Sequence, residues 1–175
     1  MADHDPIKVK NLDGYGNPPL EWSRARTFLE NPSEDPSATT FFLGTVRPDG
    51  RPHAAPVGAI WVDGEIYFTS SPKARKARNL AANPACTLSV KLIGLDLVFE
   101  GGVIRITDKP TLERIAKVYS DGGWPAEVQG DAFTAPFYAP SGGPPPWYLY
   151  QLKFDTAFGV ATAEPNGATR WSFVP

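Results

Sequence analysis

Four cations stand within six residues, at Lys73, Arg75, Lys76 and Arg78, directly after the hydroxyls of Thr69, Ser70 and Ser71. Ser71 sits where a helix N-cap belongs. Pro72 sits in the first turn, where a missing N–H costs nothing. The spacing therefore predicts a helix over 72–82, stopped by Asn83 and Pro84. A helix N-terminus offers unpaired N–H groups and about half a positive charge, so it suits an anion. Cations placed there oppose the helix dipole by ~0.3–1 kcal/mol each. Folding gives no reason for that arrangement, whereas a bound phosphate does. The competing reading is a solvated basic face that happens to follow a cap; the strand-end hydroxyls favour the anion.

Other chemistry is scarce. The chain of 175 residues holds two histidines, His4 and His53, and one cysteine, Cys86. A metal centre of the usual His/Cys kind has too few ligands, and any Ser-His-Asp mechanism would rest on His53 alone. Chemistry here would have to come from a cofactor. Cys86, among apolar strand neighbours, reads as inert core. Asp96 and Glu100 share a strand without any sign of a pocket. His53 reads either as a hydrogen-bonding partner of a ring or substrate, or as a surface residue beside a Pro-rich turn.

Composition sets the frame for these residues. Hydrophobic residues make up 42% and charged residues 21%, as in an ordinary globular domain. The net charge of -2 gives no global pull toward nucleic acid or anionic membrane, so an anion site must be local. The single cysteine, the polar N-terminus and the lack of an ~18-residue apolar run lead us to expect a cytoplasmic protein with no membrane partner.

The elements that must position the basic run follow from local patterns. Residues 1–37 read as an irregular arm, a helix over 20–29 and a loop through Pro36; residues 38–175 read as the body of one domain. Strands are expected at 39–46, 52–62 and 65–70. They are joined by Pro48-Asp49-Gly50 and by the two-residue hairpin Asp63-Gly64. Trp61 and Tyr67 flank that hairpin as a cross-strand aromatic pair. Strands at 86–91 and 95–107 precede a helix at 111–119. A glycine- and proline-rich loop spans 120–146, and strands at 147–161 and 168–173 end the chain. In that loop and just after it, Trp124, Phe133, Phe137, Tyr138, Trp147 and Tyr148 read as an aromatic lid over a ligand or as an interface cover. Many short strands with few helices predict a mainly β fold, a closed or nearly closed antiparallel barrel.

The run Phe42-Leu-Gly-Thr-Val-Arg-Pro-Asp-Gly-Arg-Pro-His-Ala-Ala-Pro-Val57, the hairpin, the basic helix and Asn83-Pro84 resemble the pyridoxamine 5'-phosphate oxidase-like family of FMN-binding split barrels. The resemblance covers 39–107, with a weaker echo at 167–173. It implies a split antiparallel Greek-key β-barrel forming a homodimer, with the cofactor at the subunit interface. It also implies that Thr69, Ser70, Arg75 and Lys76 hold the phosphate beside Ser71. His53, Ala54, Ala55, Pro56, Val57 and Gly58 would run along the ring. Pro56 suits that strand only if the sheet does not need its N–H. Arg170 and Trp171 would either reach a partner's cofactor or pack within their strand.

The segment expected to hold pyridoxal phosphate is replaced by Thr169-Arg-Trp-Ser-Phe173, which argues against vitamin B6 oxidation. Relatives that use the deazaflavin coenzyme F420 share the Lys-Ala-Arg-Asn-Leu helix, and Lys73 and Arg78 would suit that coenzyme's longer anionic tail. The cofactor is thus FMN or coenzyme F420. The expected function is hydride transfer between a flavin-type ring and a small organic substrate. The alternatives are a non-catalytic flavin or haem carrier and a structural dimer with a vestigial site.

Overall fold

The computed structural model describes residues 5–32 and 39–175; the loop expected through Pro36 lies largely outside them. Eleven strands and three helices follow in the order β1 (Lys8–Asn11), α1 (Trp22–Glu30), β2 (Phe41–Val46), β3 (Pro52–Val57), β4 (Ile60–Val62), β5 (Glu65–Ser70) and α2 (Arg75–Ala82). After these come β6 (Ala85–Leu92), β7 (Leu95–Ile106), α3 (Lys109–Asp121), β8 (Glu127–Gln129), β9 (Ala132–Thr134), β10 (Tyr148–Ala161) and β11 (Ala168–Ser172).

Every ladder is antiparallel. Nine strands form one sheet in the order β1-β11-β10-β7-β6-β2-β3, with β5 and then β4 branching from β10. The expected barrel is left open. Among the described residues β3 pairs only with β2 and β4 only with β5, so no ladder there joins the two ends of the sheet.

The branch arises because β10 is long. Residues 148–152 pair with β5 and 156–160 with β11, while β7 runs along the other side of the whole strand. The register slips between Phe154 and Thr156, leaving Asp155 as a bulge opposite β7.

Period-two alternation decides which faces are buried. In β2, Phe41, Leu43 and Thr45 are buried while Phe42 and Val46 are exposed; β6 alternates in the same way. One core therefore fills the buried face, with Leu43, Leu88, Phe99, Phe154 and Trp171 in one cluster with Trp22 of α1. The first half of β10 is buried on both faces. Tyr150 and Leu152 join the first core, and Leu149 joins a second core under α3 with Tyr67, Leu112, Ile115, Tyr119 and Phe133. That is why the sequence from 147 to 152 is nearly unbroken in its apolar content. Cys86 is buried in the first core, where loss of hydration pushes its thiol up to about 12, so it stays a protonated apolar side chain.

The two turns form as their residues require. Gly50 has φ +81°, and Asp63 and Gly64 have φ +52° and +84°, the left-handed pair of a type I′ hairpin. Five expectations need correction. The arm contains β1, whose four residues are all exposed and which is held by backbone pairing to β11. The run 52–62 breaks at Gly58 and Ala59, where the chain leaves β2 and takes up β5 as its partner. Trp61 lies opposite Ile66 rather than Tyr67, and packs on Trp22 and Phe154. Residues 120–146 are not one loop: α3 extends to Asp121, and β8 and β9 form a hairpin turning at Gly130 (φ +65°). The basic helix starts at Arg75, three residues later than its cap signal suggested.

Candidate functional site

The late start of α2 changes how Ser71 works. Its carbonyl accepts from the Ala74 N–H at 3.0 Å and its Oγ lies 3.4 Å from the Lys73 N–H, so Pro72 to Ala74 form a separate turn. Ala74 caps the helix in extended conformation with no side-chain hydrogen bond. Ser71 thus closes a turn between β5 and α2 instead of capping the helix, which leaves the first N–H groups of α2 without a side-chain acceptor.

A cleft of about 290 Å³ opens beside that turn. Its polar end is made by Thr69, Ser70 and Ser71 at the end of β5 and by Lys76 from the first turn of α2. Pro56, Val57 and Gly58 at the end of β3 form one side. Tyr119 from α3 completes the lining together with Trp124, Tyr138 and Trp147 and the segment of Ala139, Ser141 and Gly142. Among the described residues no carboxylate, thiol or imidazole lines it.

Lys76 is half-buried, and burial alone pushes its ammonium below the ordinary lysine range. Among the described residues it makes no ion pair. A desolvated cation without a carboxylate is costly unless an anion joins it. Ser70 and Ser71 are buried, with Ser70 Oγ donating to the Ser71 carbonyl at 3.2 Å. Each hydroxyl keeps lone pairs, and the Ser71 proton, which no hydrogen bond among the described residues uses, can turn toward an acceptor in the cleft.

Three of the aromatic side chains are tied to backbone at their polar atoms. Trp124 Nε1 donates to the Phe137 carbonyl at 2.9 Å and Trp147 Nε1 to the Gly143 carbonyl at 3.1 Å. Tyr119 donates to the Gly58 carbonyl at 2.9 Å, pinning the point where β3 gives way to β4. Trp124 and Trp147 pack against each other at 5.4 Å, and Tyr138 against Trp147 at 5.7 Å. The rings touch one another and leave no cage between them, so they form a wall. Tyr119→Phe should lower the melting temperature by ~2–4 °C, the loss of one hydrogen bond of ~1 kcal/mol in a chain of this size. A thermal scan of the ligand-free protein is the check; an unchanged midpoint would mean that Gly58 is held by other contacts.

Seven of the expected residues meet here: Pro56, Val57, Gly58, Thr69, Ser70, Ser71 and Lys76. Ala54 and Ala55 lie upstream on β3, an edge strand whose free side faces no partner, so Pro56 removes no N–H that the sheet needs. Arg75 is exposed, as are Lys73 and Arg78, so one of the four cations enters the cleft. Trp171 is fully buried beside Trp22, with ring centroids 5.3 Å apart, and lies outside this cleft. Arg170 is exposed and sits over the Phe158 ring at 5.7 Å.

The aromatic group is divided. Trp124, Tyr138 and Trp147 line the cleft, Phe133 fills the second core, and Phe137 is exposed. Tyr148 lies under the Arg105 guanidinium at 3.4 Å. Tyr119 was not singled out by sequence; its tyrosine at the end of an apolar helical stripe is indistinguishable from core until α3 is placed.

Fold and cleft together define an antiparallel β protein with a ligand-sized cleft lined by one cation, hydroxyls and aromatic rings. The chain belongs to the pyridoxamine 5'-phosphate oxidase family, whose sequence pattern matches residues 24–133. It is 32% identical over 99 residues to the pyridoxine/pyridoxamine 5'-phosphate oxidase of Acidothermus cellulolyticus, covering 54% of this chain and 44% of that protein. The chain therefore spans less than half the length of that curated relative. Its fold is similar to a pyridoxamine 5'-phosphate oxidase-related, FMN-binding protein of Nostoc punctiforme, with TM-score 0.57 and 16% identity over 91% of this chain and 99% of that one. A haem-binding protein of Mycobacterium smegmatis is also similar in fold, with TM-score 0.51 and 16% identity over 75% of this chain and 53% of that one.

Proposed function

We propose that this chain binds FMN or the deazaflavin coenzyme F420, with the phosphate at Lys76, and acts as an oxidoreductase on a small organic substrate. The observation that carries this reading is the half-buried Lys76 ammonium, desolvated and without a carboxylate, at the hydroxyl-lined end of the cleft. Family membership supports it independently.

In this reading Lys76 supplies charge and Thr69, Ser70 and Ser71 supply hydrogen bonds to the phosphate, with Arg75 approaching from the rim. His53, Ala54, Ala55, Pro56, Val57 and Gly58 present the free backbone edge of β3 to the ring. When bound, the ring supplies the hydride chemistry. The chain's own part is to anchor, orient and exclude water: Trp124, Tyr138 and Trp147 shut one side of the cleft with surfaces that carry no free donor from either indole. Among the described residues the titratable groups on the lining are Lys76 and the phenols of Tyr119 and Tyr138.

A homodimer belongs to the same proposal. Phe42, 48% accessible, lies on β2 opposite Pro56 of the edge strand β3, and Ile104, 46% accessible, lies on β7. In such a dimer Arg170 is free to meet a partner's ligand. The reduced thiol of Cys86 suits a cytoplasmic setting, and among the described residues no helix is long and apolar enough to cross a membrane.

Absorption spectra and fluorescence titrations with FMN, with the deazaflavin and with riboflavin test the binding. One phosphorylated ring should bind at least tenfold more tightly than riboflavin. Equal affinity with and without the phosphate, or no binding of any ring, would overturn the site. A carrier role is the second reading, favoured by the absence of any acid–base side chain on the lining beyond Lys76 and two tyrosines. Turnover of the bound, reduced ring by a panel of planar and unsaturated acceptors selects the enzyme; a ring that binds but never turns over selects the carrier.

A further inference from the structure

Between β9 and β10, residues 136–146 include five prolines and no charged side chain. Each proline removes an N–H, so the segment cannot extend the neighbouring ladders and has to be held by its carbonyls. Two indoles do this. Trp124 Nε1 donates to the Phe137 carbonyl at 2.9 Å. Trp147 Nε1 divides its proton between the carbonyls of Gly143 at 3.1 Å and Gly142 at 3.4 Å. The Gly142 N–H turns inward and donates to the Ala139 carbonyl at 2.7 Å. Among the described residues no other hydrogen bond or ion pair ties 136–146 to the body of the domain.

The two hooks are firmly set. Trp147 is buried and exchanges both backbone hydrogen bonds with Phe133, at 2.8 and 2.9 Å. Trp124 is half-buried against Tyr119, with ring centroids 5.2 Å apart, and its backbone N–H donates to the Tyr119 carbonyl at 2.9 Å. The strap they carry is exposed from Phe137 to Ser141. Yet Tyr138, Ala139, Ser141 and Gly142 all line the cleft. The strap also reaches the turn at Ser71, since a Cβ built on Gly143 would stand 3.8 Å from Ser71 Cβ and Oγ. With the strap in place the cleft holds about 290 Å³, at the lower limit of the ~300–1,000 Å³ of ligand clefts.

We infer that Trp124 and Trp147 are positioning residues that latch the strap 137–143 over the bound ligand, and that release of these latches sets the rate at which the ligand enters and leaves. This rests on the phosphate reading of the cleft. Each latch is a single neutral hydrogen bond at a surface that water can reach, so it breaks and reforms at small cost. Opening frees only carbonyls, which water then solvates, and disturbs neither core. The indole rings keep their packing when their N–H groups let go, so the aromatic wall stays in place while the strap swings. Local openings of this kind lie far below the free energy of global unfolding, and strap motions of this size can limit exchange of a ligand.

Stopped-flow fluorescence with FMN, and in parallel with the deazaflavin coenzyme, tests the latch in two ways. Trp124→Phe removes one N–H and keeps a ring. It should speed both association and release about fivefold, the effect of one hydrogen bond, so that the two rates move more than their ratio. A residue with a merely structural role would lower the melting temperature without accelerating both steps. The second test closes the strap. Paired Ser71→Cys and Gly143→Cys substitutions place two Cβ atoms 3.8 Å apart, the usual disulfide separation of about 3.8 Å. The oxidised pair should take up and release FMN on the order of tenfold more slowly than the same preparation after reduction. The lost Ser71 hydroxyl and the side chain placed at φ +69° are common to both forms. Equal rates in the oxidised and reduced forms would overturn the latch alone, with the phosphate reading kept as long as Lys76→Ala weakens binding. Failure of both cofactors to bind the parent chain would overturn the site reading and the latch with it. Should Trp124→Phe fold poorly, the cysteine pair decides; should the pair fold poorly, unchanged rates in Trp124→Phe are incompatible with the proposal.

Discussion

Lys76→Ala should weaken FMN binding about tenfold to a hundredfold while the ligand-free chain keeps its stability or gains slightly. A charge-assisted hydrogen bond contributes ~1.5–3 kcal/mol, and each ~1.4 kcal/mol is a factor of ten in affinity. The same ammonium is half-buried and opposed by its own burial in the free chain, so deleting it removes a desolvation cost. A scaffold lysine would show the reverse, with stability lost and affinity spared. Arg75→Ala should do less, because Arg75 is exposed and its charge is screened. Fluorescence titration and a thermal scan on the same preparations separate the outcomes. Undiminished affinity in Lys76→Ala would remove the phosphate from this end of the cleft.

Gly101→Ala should destabilise the chain by ~3 kcal/mol, at the upper end of overpacking costs, or ~6–12 °C in melting temperature. Gly101 faces Phe154 where β10 bulges. A Cβ there would stand 2.7 Å from Phe154 Cα and collide with the Lys153 carbonyl oxygen. Those are backbone atoms, so no rotamer change relieves the contact, and the ladder itself must shift. The next residue is the control: a Cβ at Gly102 meets the Pro84 carbonyl oxygen at 3.6 Å, an ordinary contact. Gly102→Ala should therefore stay within ~0.5 kcal/mol. Equal effects at the two positions would show that β7 and β10 tolerate a different register.

The sequence made legible those features set by a few adjacent residues. Pro48-Asp49-Gly50 and Asp63-Gly64 specify turns through their dihedral preferences alone. Alternation in β6 and β7 marks their buried face without any neighbour in view. The break at Gly58 was invisible because 52–62 has one texture throughout; which strand a segment pairs with is decided by distant residues. The start of α2 was misread because Ser71-Pro72 closes a turn as readily as it caps a helix. β1 escaped because its Lys-Val-Lys-Asn residues bury nothing and hold on by backbone alone. At the site, the hydroxyls, Lys76 and the end of β3 could be proposed from order along the chain. Tyr119 required α3 to be placed. Trp171 shows the converse: a C-terminal echo of a family pattern drew attention to a ring that packs wholly inside.

The doubly flanked strand β10 and the singly flanked strand β3 have different kinetic fates. Amides in the first half of β10 are bonded into ladders on both sides and should exchange with deuterium only when the whole domain opens. β3 has one neighbour and can fray on its own. The segment that would cradle a ring is thus the soft rim of a hard sheet, and slowed deuterium uptake over 52–57 is where occupancy would first be felt.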